Sequence, residues 1–245
     1  MSNKLFGVVS IYGLLIAGAI LLGAILCQRE ARRLGLPPDT GIDMILWAVP
    51  PAVICARLYY VIFRWEYYAA DPVTALYFWQ GGLAIYGAVI GGFLGLLALS
   101  RKNRLPLLTL LDIGAPLVIL GQAIGRWGNF FNGEAYGALI TDPAWQFFPA
   151  AVYADGAWHM ATFFYESCWN ALGFLLLWLY RKRARQPGDV FFRYLAWYGA
   201  GRAVIEGLRA DSLMLGPVRV SQALSAALFI IALFVILRRK KASHR

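Results

Sequence analysis

Apolar and polar positions alternate along this chain in blocks of twenty or so rather than in the short periods of a soluble fold. Residues 5–27 form an unbroken apolar run, and further runs follow at about 42–63, from Gly81 to the basic cluster at 101, at about 106–125, at about 162–180, at about 189–209, and from 217 to about 237. At about 1.5 Å of rise per residue, each is long enough for a helix through a hydrocarbon core about 30 Å thick. The first run follows Lys4 as a signal peptide would, but its length and the lack of a small-x-small exit favour a retained helix. Within the third run Gly87, Gly91 and Gly95 recur every four residues, a stripe that lets two membrane helices approach closely.

The placement of charge sets the expected orientation. Of 23 Lys and Arg, fifteen fall in four short segments, 29–33, 101–104, 181–185 and 238–245, and these alternate with weakly charged connections. That is the positive-inside pattern. It predicts an all-α integral membrane protein of seven transmembrane helices, with the N-terminus outside, the C-terminus cytoplasmic, and residues 1–245 forming a single domain. Residues 138–161, the longest outer connection, are expected to form a small head or lid between spans four and five.

Composition agrees with this reading. Only 15% of residues are charged against 60% hydrophobic, and mean hydropathy is +0.59; a soluble domain carries roughly 25% charged residues. The net charge of +10 is therefore a topology signal, and nucleic acid is not an expected partner. Cys27, Cys55 and Cys168 lie in apolar runs without metal-site spacing, and the two histidines, His159 and His244, are far apart in the chain. No metal or other cofactor is implied.

Polar chemistry gathers in two places. Gly125 to Gly137, reading GRWGNFFNGEAYG, brings Arg126, Asn129 and Glu134 to the outer end of the fourth span. Ionisable groups at such depth are functional candidates. Its glycines predict an elbow whose backbone N–H groups turn towards an anion beside the Arg126 fork. The competing reading is a helix end where Arg126 and Glu134 pair and snorkel. In the sixth span Tyr198, Arg202, Glu206 and Arg209 follow at steps of four, four and three, one helical face. Tyr12, Arg57 and Tyr86 are expected at the same level, while Asp112 is an acid in the fourth span with no evident purpose. An excess of cations at one depth of a bundle points to an anionic partner with an apolar body, a phospholipid.

The elbow resembles the signature of the prolipoprotein diacylglyceryl transferase family. Further matches are Tyr12-Gly13, Ala56-Arg57-Leu58-Tyr59-Tyr60, the segment Gly81 to Gly87, Tyr198-Gly199-Ala200-Gly201-Arg202 and Glu206 to Ser212, so the resemblance covers essentially the whole chain. It implies a multi-pass enzyme of the bacterial cytoplasmic membrane, with its site towards the outer leaflet. The enzyme would move the diacylglyceryl group of phosphatidylglycerol to the lipobox cysteine of preprolipoproteins. The resemblance puts Tyr12, Arg126, Asn129, Glu134, Gly137, Arg202 and Glu206 on the family's functional positions. Catalysis is expected of Arg126, Arg202, Tyr86, Glu134 and Glu206. Headgroup binding is expected of Tyr12, Arg57, Arg126, Asn129, Gly137, Tyr198, Arg202 and Arg209. Two departures stand out: Tyr86 occupies a position where some members carry His, and Met160-Ala161-Thr162 follows His159 where the pattern reads His-Pro-Thr. Another phospholipid-using transferase, or less readily a lipid transporter, is the alternative reading.

Overall fold

The computed structural model describes residues 4–5, 9–134, 136–208, 214–215 and 218–242. Among them are seven helices of seventeen residues or more: α1 (Ile11–Arg33), α2 (Thr40–Phe63), α4 (Ile85–Asn103), α5 (Leu107–Phe131), α6 (Thr162–Tyr180), α7 (Asp189–Ile205) and α8 (Val220–Ala242). A single turn, α3 (Trp65–Tyr68), follows α2. Five helices, α1, α2, α4, α5 and α8, are long and apolar enough to cross a membrane. The chain is thus a mostly helical, multi-pass membrane protein. Among the described residues there are also three antiparallel strand pairs: β1 (Lys4–Leu5) with β2 (Val9–Ser10), β3 (Ala151–Ala154) with β4 (Ala157–Met160), and β5 (Met214–Leu215) with β6 (Val218–Arg219).

Element ends depart from the hydropathy pattern for identifiable reasons. The first helix begins at Ile11 rather than residue 5 and carries its basic end to Arg33, stopping where Gly35 turns at φ +67° ahead of Pro37-Pro38. The third begins at Ile85, because Gly81 and Gly82 adopt φ of +94° and +73° and cannot belong to a helix. The fourth runs six residues past its expected end and takes in Arg126 and Asn129.

Two compact units divide the chain, one of Ala24–Leu111 and one of Met1–Gly23 with Asp112–Arg245. In the first, α2 and α4 pack along the glycine stripe. A methyl group at Gly87, Gly91 or Gly95 would penetrate the backbone carbonyl of Cys55, Pro51 or Trp47 respectively, whereas at Gly92 it would meet the Ala52 side chain and the Ala48 carbonyl only at ordinary contact, 3.8 and 3.9 Å. The stripe is therefore a contact surface between two backbones. Arg57, buried in the same unit, donates through Nε to the Ala75 carbonyl (2.8 Å), through Nη1 to Gly81 (2.7 Å) and Gly82 (3.1 Å), and through Nη2 to Thr74 (2.9 Å). Four carbonyls of the 64–84 connection are thus gathered on one guanidinium, with the Tyr68 ring beneath it at 5.2 Å. Expected as a headgroup ligand, Arg57 spends four of its five N–H donors on backbone carbonyls, which anchors this connection.

In the second unit Asp112 finds its purpose. Its Oδ1 accepts from the backbone N–H of Val190 (3.0 Å) and Phe191 (2.8 Å), and its Oδ2 from Gly188 (2.6 Å). A carboxylate from α5 therefore caps the N-terminus of α7, satisfying orphan donors and meeting the positive end of the helix dipole. Higher up, α6 and α7 are joined by a reciprocal clasp. Trp169 and Trp197 stack with centroids 4.3 Å apart, and each indole N–H donates to the other's backbone carbonyl (3.1 and 3.0 Å). Each indole lies where a side chain on Gly201 or Gly173 would be, so the repeated Trp-x-x-x-Gly spacing, 169 to 173 and 197 to 201, is what admits the pair.

The glycine stripe gives a direct test. Gly91→Ala is expected to lose about 1–3 kcal/mol of stability through overpacking, read as a lower thermal midpoint in detergent, while Gly92→Ala leaves the midpoint unchanged; equal midpoints for both would remove the stripe's role.

Candidate functional site

The site is built on the adjoining ends of α5, α6 and α7. Register between α5 and α6 is set by side chains next to the charges: the Trp127 indole donates to Ser167 Oγ (3.1 Å), Ser167 donates to the Ala123 carbonyl (2.9 Å), and Phe130 stacks on Phe163 at 4.7 Å. This brings Arg126 of α5 against Glu166, one turn into α6, as an ion pair through Oε1. The other oxygen of Glu166 accepts from Arg202 Nη1 of α7 at 3.0 Å. Arg202 Nη2 in turn reaches Glu206 at 2.7 Å, one turn on, in the 3-10 turn Glu206–Leu208. Arg219 of β6 donates to the Glu206 backbone carbonyl.

Two guanidinium groups from separate helices thus converge on one carboxylate. The Glu166 side chain is 4% exposed and that of Glu206 is 2% exposed, against 19% for Arg126 and 15% for Arg202. The acids are therefore the floor and the arginines the wall. Burying a carboxylate alone is prohibitive, and two forks with well-placed N–H groups are what make Glu166 tenable. Among the described residues, the contacts of Arg126 and of Arg202 each use two of five N–H donors. That leaves three N–H donors on each guanidinium, the kind of donor that suits an anion.

Around this bridge lie the other expected residues of the unit. Arg126 Nη1 also contacts Asn129 Oδ1 at 3.4 Å, and Asn129 Nδ2 donates to Glu134 at 3.3 Å. Glu134 accordingly supports Asn129 rather than a guanidinium plane. Tyr12, in the first turn of α1, lies against Gly128, where any side chain would displace its ring. Tyr198, one turn before Arg202, stacks on Tyr194 at 6.0 Å. Gly137 lies under β4, its N–H donating to the Met160 carbonyl at 3.0 Å; a Cβ there would be 2.6 Å from both Met160 and Thr162. His159 in β4 contacts the Gly137 carbonyl at 3.4 Å and faces the Tyr136 ring at 5.8 Å. Burial and the nearby Asp155 carboxylate push the Tyr136 phenol above its ordinary value, so it stays neutral. Tyr86, in the first turn of α4, belongs to the other unit, where its ring is 6.1 Å from that of Tyr59. Arg209 lies outside the described residues.

The expectation for the elbow is corrected. The elbow is helical through Phe131, so the N–H groups around Arg126 serve α5 and do not turn to an anion; of its glycines only Gly133 has positive φ, +74°. Gly128 instead makes room for Tyr12. Glu166 was absent from the expected site, although a single acid in the first turns of an apolar helix is the signal that marks it. Arg219, too, was not foreseen.

Fold and site together define a multi-pass helical membrane protein with a charged cluster built into its helix ends. A family profile described as prolipoprotein diacylglyceryl transferase matches residues 4–238. Proteins named phosphatidylglycerol–prolipoprotein diacylglyceryl transferase from Bacillus cytotoxicus and from Bacillus cereus are each 47% identical over 236 residues, which cover 94% of this chain and 87% of theirs. One from Bacillus anthracis matches equally. The chain belongs to the prolipoprotein diacylglyceryl transferase family.

Removing the bridge should be costly. Glu166→Leu leaves two arginines facing each other and is expected to lose about 3–5 kcal/mol, whereas Glu134→Gln, at an exposed site, is expected to cost no more than about 1 kcal/mol. Unfolding midpoints in detergent compare the two, and a Glu166 variant as stable as wild type would contradict the assignment.

Proposed function

We propose that this chain transfers the diacylglyceryl group of phosphatidylglycerol to the lipobox cysteine of preprolipoproteins in the bacterial cytoplasmic membrane. The thiolate sulfur attacks the glycerol carbon that bears the phosphate. A carbon–sulfur bond forms as the carbon–oxygen bond breaks, and glycerol phosphate departs with the bonding electron pair. The thiol proton is released. The observation that carries the reading is the pair Arg126 and Arg202, fixed on Glu166 with donors to spare. Family membership supports the choice of substrates.

In this mechanism the two arginines hold the phosphate and neutralise the charge that grows on it, work that preorganised donors do without rearrangement. Glu166 and Glu206 keep the forks from turning. Asn129, steadied by Glu134, and Tyr12 orient the headgroup, with Tyr198 at its side. Gly137 holds the chain crossing beside them, and Arg209 is kept as a headgroup ligand on the strength of the sequence. A thiol of ordinary pKa about 8.5 loses its proton more readily beside arginines. No dedicated base is then required, and Tyr86 acts as a positioner or relay.

Our topology has seven spans, with α6 and α7 completing the five apolar helices. The N-terminus is outside, the C-terminus is cytoplasmic, and the site faces the outer leaflet. We read residues 1–245 as a single transferase domain. The 138–161 segment, which holds the β3–β4 hairpin, is its outer head or lid. Both substrates, a two-chain lipid and a signal helix, enter sideways from the bilayer, and nucleic acid has no part.

Purified protein incubated with phosphatidylglycerol labelled in its acyl chains and a lipobox peptide should move label to the peptide thiol. Headgroup release without transfer would favour a different phospholipid-using enzyme. Arg126→Gln is expected to lower turnover about a hundredfold or more, and near-normal turnover would remove its role. Tyr86→Phe should retain the chemical step; its loss with lipid binding intact would make Tyr86 the proton acceptor.

A further inference from the structure

A groove of about 860 Å³ runs along α6 and α7 from the turn beside the arginine bridge towards the basic end of α6. Its wall is almost wholly apolar, formed by Trp169, Leu176 and Leu177 of α6, Ala196 and Trp197 of α7, and Phe229 of α8. The Trp clasp makes it: the indoles occupy the Gly173 and Gly201 notches, and the small Ala196 and Ala200 leave the space beside them unfilled. Lining residues on α6 and the turn after it extend from Trp169 to Arg183, roughly 21 Å at about 1.5 Å per residue. That spans the ~15 Å of hydrocarbon in one leaflet. Leu179 in its lining and Leu175, next to the lining Leu176, are exposed, as residues facing lipid are.

Its far end is cationic. Lys182, Arg183 and Arg193 all line it. Arg193 is engaged, its guanidinium over the Tyr180 ring at 4.0 Å and 4.0 Å from Asp189. Asp189 is also the partner of Arg239, at 3.8 Å. Lys182 and Arg183 are exposed and have no acidic partner among the described residues. An apolar furrow as long as an acyl chain, ending in two uncompensated cations, is complementary to one class of molecule that a membrane supplies.

We propose that this groove seats an anionic phospholipid, one acyl chain lying along α6 and α7 and the phosphate on Lys182 and Arg183. This lipid is not the one consumed. Glu166 lies sixteen residues before Lys182 on the same helical run, about 24 Å away along its axis. The seat joins α6 to α7 at the end opposite the bridge, holding the two helices that carry Glu166 and Arg202.

Phosphatidic acid and phosphatidylcholine, neither of them the proposed substrate, serve as probes. Protein reconstituted in equal amounts of the two and then stripped by detergent should retain one phosphatidic acid in preference to phosphatidylcholine by native mass spectrometry. The double variant K182Q/R183Q, altered only at exposed positions, should lose that preference by about tenfold or more. R126Q/R202Q should keep it. Equal retention of the two lipids by wild type, or an unchanged preference in K182Q/R183Q, would overturn the proposal. Loss of the preference in R126Q/R202Q alone would do so as well, by placing the anion at the bridge.

Discussion

A single carboxylate with a cation on each of its oxygens is the constraint on which this structure turns. Glu166 cannot be buried without both arginines, and it is the one acid that holds Arg126 and Arg202 together, with Glu206 as a second partner of Arg202. The cost of desolvating these groups is not recovered as stability, since ion pairs of this kind seldom outperform apolar packing. What they supply is orientation: two planar forks from different helices are held in one place before any ligand arrives. Much else in the unit sets that geometry. Trp127 and Ser167 fix α5 against α6, the paired indoles of Trp169 and Trp197 fix α6 against α7, and Asp112 fixes where α7 begins.

The helical plan was legible because hydropathy over twenty residues is a strong signal and the bilayer demands it. Five of the seven runs stand out by length and composition, and the 162–180 run coincides with α6 to the residue. Boundaries were less legible, since a helix continues beyond the apolar stretch until backbone geometry stops it, as Gly35 does for α1. The glycines of the elbow misled for a related reason. A glycine signals either a turn or a close approach, and only a neighbour such as Tyr12, distant in sequence, decides between them.

Site residues divide in the same way. Tyr198, Arg202 and Glu206 shared a face by spacing, and the i, i+4 pair between Arg202 of α7 and Glu206 of the 3-10 turn that follows it is present at 2.7 Å. Glu166 escaped notice because its meaning depends on two other helices, which no local pattern encodes. Arg57 shows the converse: conspicuous as a cation in an apolar run, it serves four carbonyls that the sequence does not mark. Charged residues in membrane helices are reliably informative about polar surroundings, but not about whether those surroundings are substrate or backbone.

The central claim is that Arg126 and Arg202 act as one device through Glu166. A double-mutant cycle on kcat/KM for diacylglyceryl transfer, using Arg126→Gln, Arg202→Gln and their combination, measures this directly. Residues that work as a unit lose most of their effect with the first substitution, so the double variant should be little worse than the poorer single one. Losses that simply multiply would mean the two arginines act independently, and the bridge would then be an ion pair without a shared task.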